Sequence, residues 1–80
     1  MELFYSTDIF ENHLFLSLDE STHCIKVLRK TNGDGVKVID GKGNLYEGII
    51  EIEQKNKPVK INIQTKNFMF KIYYLIYFKV

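Results

Sequence analysis

The sequence predicts a mainly β domain with one helix, folded as a small closed or partly closed barrel. Three observations favour this class: about five short segments with strand character, frequent turn signals between them, and one segment with helical periodicity. The regular alternation of strands and helices that marks a parallel α/β sheet is missing. At 80 residues the chain has room for one domain, which buries only about 60% of its unfolded surface and is marginally stable.

Two short strands are predicted near the N-terminus. The apolar run Leu3-Phe4-Tyr5 ends at a turn formed by residues 6–8. Between residues 13 and 18, leucine alternates with other residue types at period 2, the pattern of a strand with one buried face. Both segments are therefore expected in the sheet.

One helix is predicted after these strands. Ser17 stands three residues before Glu20, the spacing of a capping box, so the helix should begin near residue 18 or 20. It is expected to end near Arg29 or Lys30, with Gly33 supplying left-handed backbone just beyond. Four residues at helical spacing form a stripe that faces the core: Ser21, Cys24, Ile25 and Leu28.

A β-hairpin and a last regular strand follow the helix. The hairpin is predicted from strand character at residues 36–40 and 45–52, with the turn at residues 41–43. In its second strand, Tyr46, Ile50 and Ile52 are expected to face the core. The last strand is predicted at residues 59–64, where apolar and polar residues alternate again.

The C-terminal residues 68–80 differ in kind from the rest of the chain. They are almost all aromatic or aliphatic, and at 13 residues they are too short to span a bilayer, which needs about 20 apolar residues. Two interpretations stay open. The segment is either one more strand of the barrel or sequence translated out of frame, because AT-rich DNA encodes these residue types in almost any frame.

Composition limits the classes of function. The formal net charge of +1 gives no overall field for a polyanion, so affinity for nucleic acid must come from a local basic face. One cysteine and two histidines cannot form an internal disulfide or a zinc site, which favours the reducing cytoplasm as the compartment. The N-terminus lacks the basic and apolar regions of a signal peptide, and no membrane association is expected.

Four motifs occur together in an order that resembles the N-terminal PUA-like domain of the RsmE family of ribosomal RNA small-subunit (uridine-N3) methyltransferases. The resemblance covers roughly residues 2–67. In chain order the motifs are Leu3-Phe4-Tyr5, the helix His23-Cys24-Ile25-Lys26-Val27-Leu28-Arg29, the pair Gly33-Asp34, and the turn Asp40-Gly41-Lys42-Gly43 with its continuation Leu45-Tyr46-Glu47. The resemblance implies a PUA-like RNA-binding barrel over residues 1–67.

The same resemblance implies a function and a missing part. In that family the barrel is followed by a knotted α/β domain of the SPOUT type, which binds S-adenosylmethionine and methylates N3 of a uridine in small-subunit ribosomal RNA. Nothing in this sequence resembles the glycine-rich methyl-donor loops of that domain. We therefore expect the RNA-binding half alone, with no catalytic residue and no cofactor in this chain, and with ribosomal RNA or the small ribosomal subunit as the partner.

Five residues are candidates for contact with RNA: Arg29, Lys26, Lys30, His23 and Lys42. Arg29 offers a planar fork for phosphate and can stack on a base, although a helix-end arginine also satisfies its own carbonyls. Lys26 and Lys30 extend the same basic surface, although lysines on a helix are often merely solvated. His23 can meet a phosphate or a base but also suits the seam between helix and barrel. Lys42 lies at a hairpin tip, where its charge can reach an RNA backbone, although lysines in turns are also common for solubility alone.

The alternative function is a protein-interaction or dimerisation module. In that case an exposed sheet edge or the aromatic segment at 68–80 would recruit a partner, or a second copy in a homodimer, by strand addition. A third alternative is a decayed gene product without a selected function. Hydrolysis by Asp40 and Glu47 is not expected, because acids that flank a hairpin are usually solvated and no nucleophile and base converge on them.

Overall fold

The computed structural model describes residues 3–54 and 56–68, which contain six strands and one helical segment. The strands are β1 (Leu3–Tyr5), β2 (Asp8–Ile9), β3 (His13–Phe15), β4 (Gly35–Ile39), β5 (Asn44–Glu51) and β6 (Lys60–Phe68). The helical segment consists of α1 (Leu18–Thr22) and a π-helical turn (His23–Val27) that continues it. The predicted class, mainly β with one helix, is confirmed.

The six strands form one sheet in the order β1-β4-β5-β6-β3-β2, with β1 and β4 parallel and the other pairs antiparallel. The two edge strands, β1 and β2, are separated in sequence only by Ser6 and Thr7. A flat sheet would hold its edges about 24 Å apart, at about 4.8 Å per strand. A connection of two residues reaches about 10 Å. The sheet must therefore curl into a partly closed barrel.

Ser6 joins the two sides of this curled sheet. Its N–H donates to the carbonyl of Ile39 at the end of β4 (3.0 Å), and its hydroxyl donates to the carbonyl of Phe15 at the end of β3 (2.6 Å). Asp8 begins β2 and donates its N–H to the Ser6 hydroxyl oxygen (3.1 Å). The predicted turn at residues 6–8 is shorter in the structure, because Asp8 already belongs to β2. The strand β2 was not predicted, because it has only two residues and shows no alternation in the sequence.

The core fills the inside of the curl and is closed by the helical segment. Ile52 lies at its margin, partly buried against it, whereas the predicted core residue Cys24 is fully buried. Leu45 is also buried but pairs with Ile39 on the opposite face of the sheet. The buried cluster consists of Phe4, Leu14, Leu16, Cys24, Val36, Val38, Tyr46, Ile50, Val59 and Ile61.

The pairing of β5 with β6 contains a β-bulge. Gly48 pairs with Ile63, but the preceding residue Glu47 pairs with Thr65, so Gln64 is an extra residue on β6. A bulge of this kind shifts the alternation of side chains by one residue beyond it. The strand also runs to Phe68, beyond the predicted end at residue 64. Residues 69–80, most of the predicted aromatic segment, lie outside the described residues.

The helix begins as the sequence predicts. The Ser17 hydroxyl accepts a hydrogen bond from the N–H of Glu20 (3.1 Å), and α1 starts at Leu18. Ser21, predicted to face the core, is buried and accepts from the N–H of Val59 (2.8 Å). Its hydroxyl donates to the carbonyl of Leu16 (3.4 Å). Ser21 therefore connects the helix to the start of β6.

We expect the substitution Ser21→Ala to lower the free energy of unfolding by about 1–3 kcal/mol, because the buried N–H of Val59 would lose its acceptor. Urea denaturation measures this loss. Ser17→Ala removes the exposed helix cap and serves as the comparison, with an expected loss of about 1 kcal/mol. A Ser21→Ala variant as stable as the wild-type chain would show that Val59 finds another partner.

Candidate nucleic-acid interface

The helical segment ends in a wide turn that is followed by Arg29. The N–H of Leu28 donates to the carbonyl of His23, and the N–H of Lys30 donates to the carbonyl of Cys24, both at 3.0 Å. Arg29 has a φ of 57°, in the left-handed region that glycine adopts most easily. The predicted left-handed position after the helix is therefore filled by Arg29.

Gly33 has a different role from the one predicted. Its φ is 91°, and its N–H donates to the carbonyl of Ile50 (3.0 Å), which fixes the entry into β4 rather than the end of the helix. The preceding turn is closed by Asp34, whose carboxylate accepts from the N–H of Thr31 (2.7 Å). The end of the helical segment is thus held close to the start of β4.

The four helix candidates His23, Lys26, Arg29 and Lys30 lie along this end of the helical segment. The first three are exposed and Lys30 is half-buried. Within residues 3–54 and 56–68, the ion pair that the structure shows joins Lys60 and Glu53 (3.8 Å) and involves none of these four. Three of these four residues, Lys26, Arg29 and Lys30, carry positive charges that are available to a ligand. We call these three residues the helix cations.

Cys24 lies behind the helix cations and is chemically inert. Burial raises the pKa of its thiol to about 11, an effect that the charge of Lys30 reduces and those of Asp34 and Glu20 increase. A thiol with this pKa is protonated at neutral pH and is a poor nucleophile. The prediction that Cys24 is a small buried hydrophobic residue agrees with this environment.

Lys57 joins the helix cations in space. A groove of about 360 Å³ separates the helix from the β5–β6 connection and has an apolar floor that includes Ile25 and Ile52. Lys26 and Lys57 line this groove from its two sides. Lys57 was not a candidate, because it lies about 30 residues from the helix in a polar loop and only the fold brings it to Lys26.

Lys42 does not lie with the helix cations. Lys26 and Lys42 line different cavities. The strand β4, about 16 Å long, runs from the turn after the helical segment to the hairpin tip that carries Lys42. Lys42 lines instead a second cavity of about 430 Å³, together with Lys66, Tyr46 and the exposed Phe10. We call it the hairpin cavity. The five predicted residues are therefore divided between the two ends of the β4–β5 hairpin.

Asp40 holds the tip of this hairpin and is buried, not solvated as the sequence suggested. One carboxylate oxygen accepts from the backbone N–H of Lys42 (2.7 Å) and of Asn44 (3.2 Å). The other accepts from the Asn44 side-chain amide (2.8 Å) and the Tyr46 hydroxyl (3.4 Å). Gly41 and Gly43 turn the chain with φ values of 76° and 96°. The carboxylate is fully occupied by the protein itself.

These contacts change the acidity of both side chains at the hairpin tip. Burial acts to raise the pKa of Asp40, but the hydrogen bonds from Asn44, Lys42 and Tyr46 outweigh it and hold the pKa below its ordinary value. Burial and the negative charge of Asp40 raise the pKa of the Tyr46 phenol. At neutral pH the pair is therefore a carboxylate and a neutral phenol, which is the arrangement that keeps the hydrogen bond.

Neither a metal site nor a membrane-spanning helix is found in the described part of the chain. Residues 3–54 and 56–68 hold no group of three or more His, Cys, Asp or Glu side chains placed to bind a metal ion. The helical segment within the same ranges is too short to cross a membrane.

The sequence matches the family model for the PUA domain of RNA methyltransferases over residues 16–63, which include the helix, the β4–β5 hairpin and the start of β6. The chain belongs to this family. The matched segment contains the helix cations and Lys42, and it stops before Lys66.

Several solved structures described as RNA methyltransferases share this fold. The chain is similar to a probable rRNA-methyltransferase from Porphyromonas gingivalis, with 29% identity and a TM-score of 0.78 over 90% of this chain. It is also similar to a predicted RNA methyltransferase from Thermotoga maritima, with 26% identity and a TM-score of 0.74 over 85% of this chain. The ribosomal RNA small-subunit methyltransferase E of Neisseria gonorrhoeae, solved with S-adenosylmethionine, shares the fold at 19% identity, with a TM-score of 0.69 over 84% of this chain.

The chain spans only part of these relatives. It covers 29% of the Porphyromonas protein, 31% of the Thermotoga protein and 28% of the Neisseria protein. The glycine turn at the hairpin tip forms no open cradle for a cofactor such as S-adenosylmethionine. A Cβ at Gly41 would lie 3.0 Å from the Tyr5 ring, and the N–H groups of Lys42 and Asn44 already donate to Asp40.

Proposed function

We propose that this chain is the RNA-binding domain of a ribosomal RNA methyltransferase and that its helix cations contact RNA phosphates. The observation that carries the proposal is the match to the PUA domain of RNA methyltransferases, which includes every helix cation. Unpaired and exposed arginine and lysine side chains are what a phosphate backbone requires. The likeness to the Porphyromonas protein supports ribosomal RNA as the RNA class.

Arg29 is the central contact in this proposal. A residue other than glycine in the left-handed region costs about 1 kcal/mol, and this position suits glycine. The side chain of Arg29 is exposed and has no ion-pair partner among residues 3–54 and 56–68, so folding does not explain its presence. Contact with an RNA phosphate would account for an arginine at this position, because a guanidinium group forms two parallel hydrogen bonds with a phosphate.

The remaining details extend the same proposal. The reaction is methylation of N3 of a uridine in small-subunit ribosomal RNA, S-adenosylmethionine is the methyl donor, and a part of the enzyme outside these 80 residues binds it. The chain acts in the cytoplasm with the small ribosomal subunit as partner. The S-adenosylmethionine bound to the Neisseria protein of the same fold supports the choice of donor.

Arg29→Gly tests the proposal by separating stability from binding. We expect the variant to gain about 0.5–1 kcal/mol of stability, because the backbone strain is relieved, while its affinity for a fluorescently labelled RNA stem-loop falls about tenfold. Thermal denaturation and fluorescence anisotropy measure the two effects. Three phosphate contacts by the helix cations should contribute about −2 to −3 to the slope of log affinity against log salt, and the variant should lose about one unit of slope.

Lys37→Ala is the matched control, since it removes one positive charge from β4 at a position that faces Glu47 across the hairpin. This variant should keep the affinity and the salt slope. Equal weakening by Lys37→Ala and Arg29→Gly would indicate only a general charge effect. A flat salt response of the wild-type chain would overturn the proposed phosphate contacts.

A further inference from the structure

We propose that the hairpin cavity binds one unstacked base of a single-stranded RNA segment, with the base stacked on Phe10. The inference rests on the proposed function, and it adds a second RNA site at the opposite end of the hairpin from the helix cations. Apart from Lys42, the residues on which this inference depends are not among the candidates predicted from the sequence.

Phe10 presents a prepared aromatic surface. Its ring is stacked on that of His13, with centroids 5.0 Å apart and planes inclined by 20°. Phe15 supports both rings edge-on, at 6.2 Å from Phe10 and 5.4 Å from His13. The Phe10 side chain is nevertheless 51% exposed and lines the cavity. An aromatic ring held in place on one side and open on the other is a stacking platform for a nucleobase.

The charges at the cavity favour a base with phosphates on either side of it. Lys42 and Lys66 are both exposed, and the ammonium group of Lys66 lies 5.7 Å from the centroid of the Tyr46 ring. Two acids, Glu11 and Asp40, also line the cavity, but the carboxylate of Asp40 is held by four hydrogen bonds from the hairpin tip. The two acids and the two lysines of the lining balance in charge. Neither lysine forms an ion pair within residues 3–54 and 56–68, so both ammonium groups can contact the flanking phosphates.

The size and walls of the cavity agree with this occupant. Its volume of about 430 Å³ lies within the usual range of about 300–1,000 Å³ for small-ligand sites. Ile9 and Ile63 add apolar side chains to the lining of the cavity. A paired base cannot reach Phe10 without leaving its stack, whereas an unpaired loop base can be turned out at small cost. The site therefore selects loops over double helices.

The full chain has no tryptophan, so Phe10→Trp introduces a single reporter at the proposed site. The two RNA probes are a stem-loop and a blunt-ended duplex of the same length and charge. Tryptophan fluorescence should be quenched when the stem-loop is added, because a stacked base quenches the indole, and it should hardly change with the duplex. The affinity of Phe10→Trp for the stem-loop should match or exceed that of the wild-type chain, since tryptophan stacks at least as well.

Phe10→Leu is the second variant and keeps the apolar surface without the aromatic ring. Its affinity for the stem-loop should fall about tenfold, with the salt slope unchanged, while its affinity for the duplex stays the same. Lys66→Ala should instead reduce the salt slope for the stem-loop by about one unit. If Phe10→Leu does not fold, as judged by circular dichroism, the fluorescence of Phe10→Trp still tests whether a base stacks in the hairpin cavity.

Several outcomes would overturn the inference. Unquenched tryptophan fluorescence in a Phe10→Trp chain that binds the stem-loop, or equal weakening of stem-loop and duplex by Phe10→Leu, would remove the stacking site and leave the proposed function intact. A wild-type chain that binds neither RNA would overturn both. Quenching of the reporter by a protein partner in the absence of RNA would assign the cavity to protein recognition instead.

Discussion

Gly48→Ala is expected to destabilise the domain by about 3 kcal/mol or more, a large part of the roughly 4–12 kcal/mol typical of a domain of this size. A Cβ on Gly48 would lie 2.5 Å from the carbonyl oxygen of Asn62 and 2.6 Å from Cγ2 of Ile61, both on the neighbouring strand β6. The first of these atoms belongs to the backbone and cannot rotate away. The methyl group can be accommodated only if β5 and β6 separate at the bulge.

Gly33→Ala is the matched control for this prediction, because nothing lies within 4 Å of a Cβ at Gly33 and only the positive φ of 91° opposes the substitution. Its expected cost is about 1 kcal/mol. Urea denaturation of both variants, followed by circular dichroism, measures the difference. Similar losses in the two variants would show that the strands separate easily and that the close approach at Gly48 has little energetic weight.

The bulge beside Gly48 also explains why the sequence reveals only part of the candidate site. At period 2, Lys66 belongs with Lys60 and Asn62, on the face of β6 that points away from the core. The extra residue Gln64 reverses this alternation, so that Lys66 pairs with the core-facing Tyr46 and lines the hairpin cavity. A bulge is fixed by the partner strand, and a single sequence carries no clear signal of it.

The parts of the fold that were predicted correctly depend on local patterns. The cap at Ser17, the core positions Ser21 and Cys24, and the glycine turn of the hairpin are set by residues close in sequence. Sheet order is different, because β1 pairs with β4 across about 30 residues. The two-residue strand β2 and the proximity of Phe10 to Lys42 follow from that order, and the local pattern could not supply them.

The difference between local sequence patterns and sheet order also explains where the five predicted contact residues lie. The helix cations share one short segment, so their common location follows from the helix itself. Lys42 was a candidate because a charge at a hairpin tip can reach an RNA backbone. The length of β4 removes it to the other end of the hairpin, where it meets Lys66. An RNA that engages both groups must therefore extend along the hairpin.

Asp40→Ala is expected to lower the free energy of unfolding by about 2–4 kcal/mol, since four hydrogen-bond donors at the hairpin tip would lose their acceptor. Asp40→Asn should cost less, because its side-chain oxygen can still accept from the backbone N–H groups of Lys42 and Asn44. If the tip were held by its glycine residues alone, both variants would be as stable as the wild-type chain in thermal denaturation.

The pH dependence of stability provides a second measurement on the same residue. The pKa of Asp40 is lower in the folded chain than its ordinary value of 3.8, so the folded state favours the charged form. The resulting stabilisation is present above that ordinary value and is lost as the pH falls through the lower folded-state pKa. Asp40→Asn carries no such group, and its stability should therefore decline less than that of the wild-type chain between about pH 5 and about pH 2. Parallel decline in the two proteins would assign the acid sensitivity to other carboxylates, among which Glu51 also has a lowered pKa, through its hydrogen bond from Asn62 and the charge of Lys60.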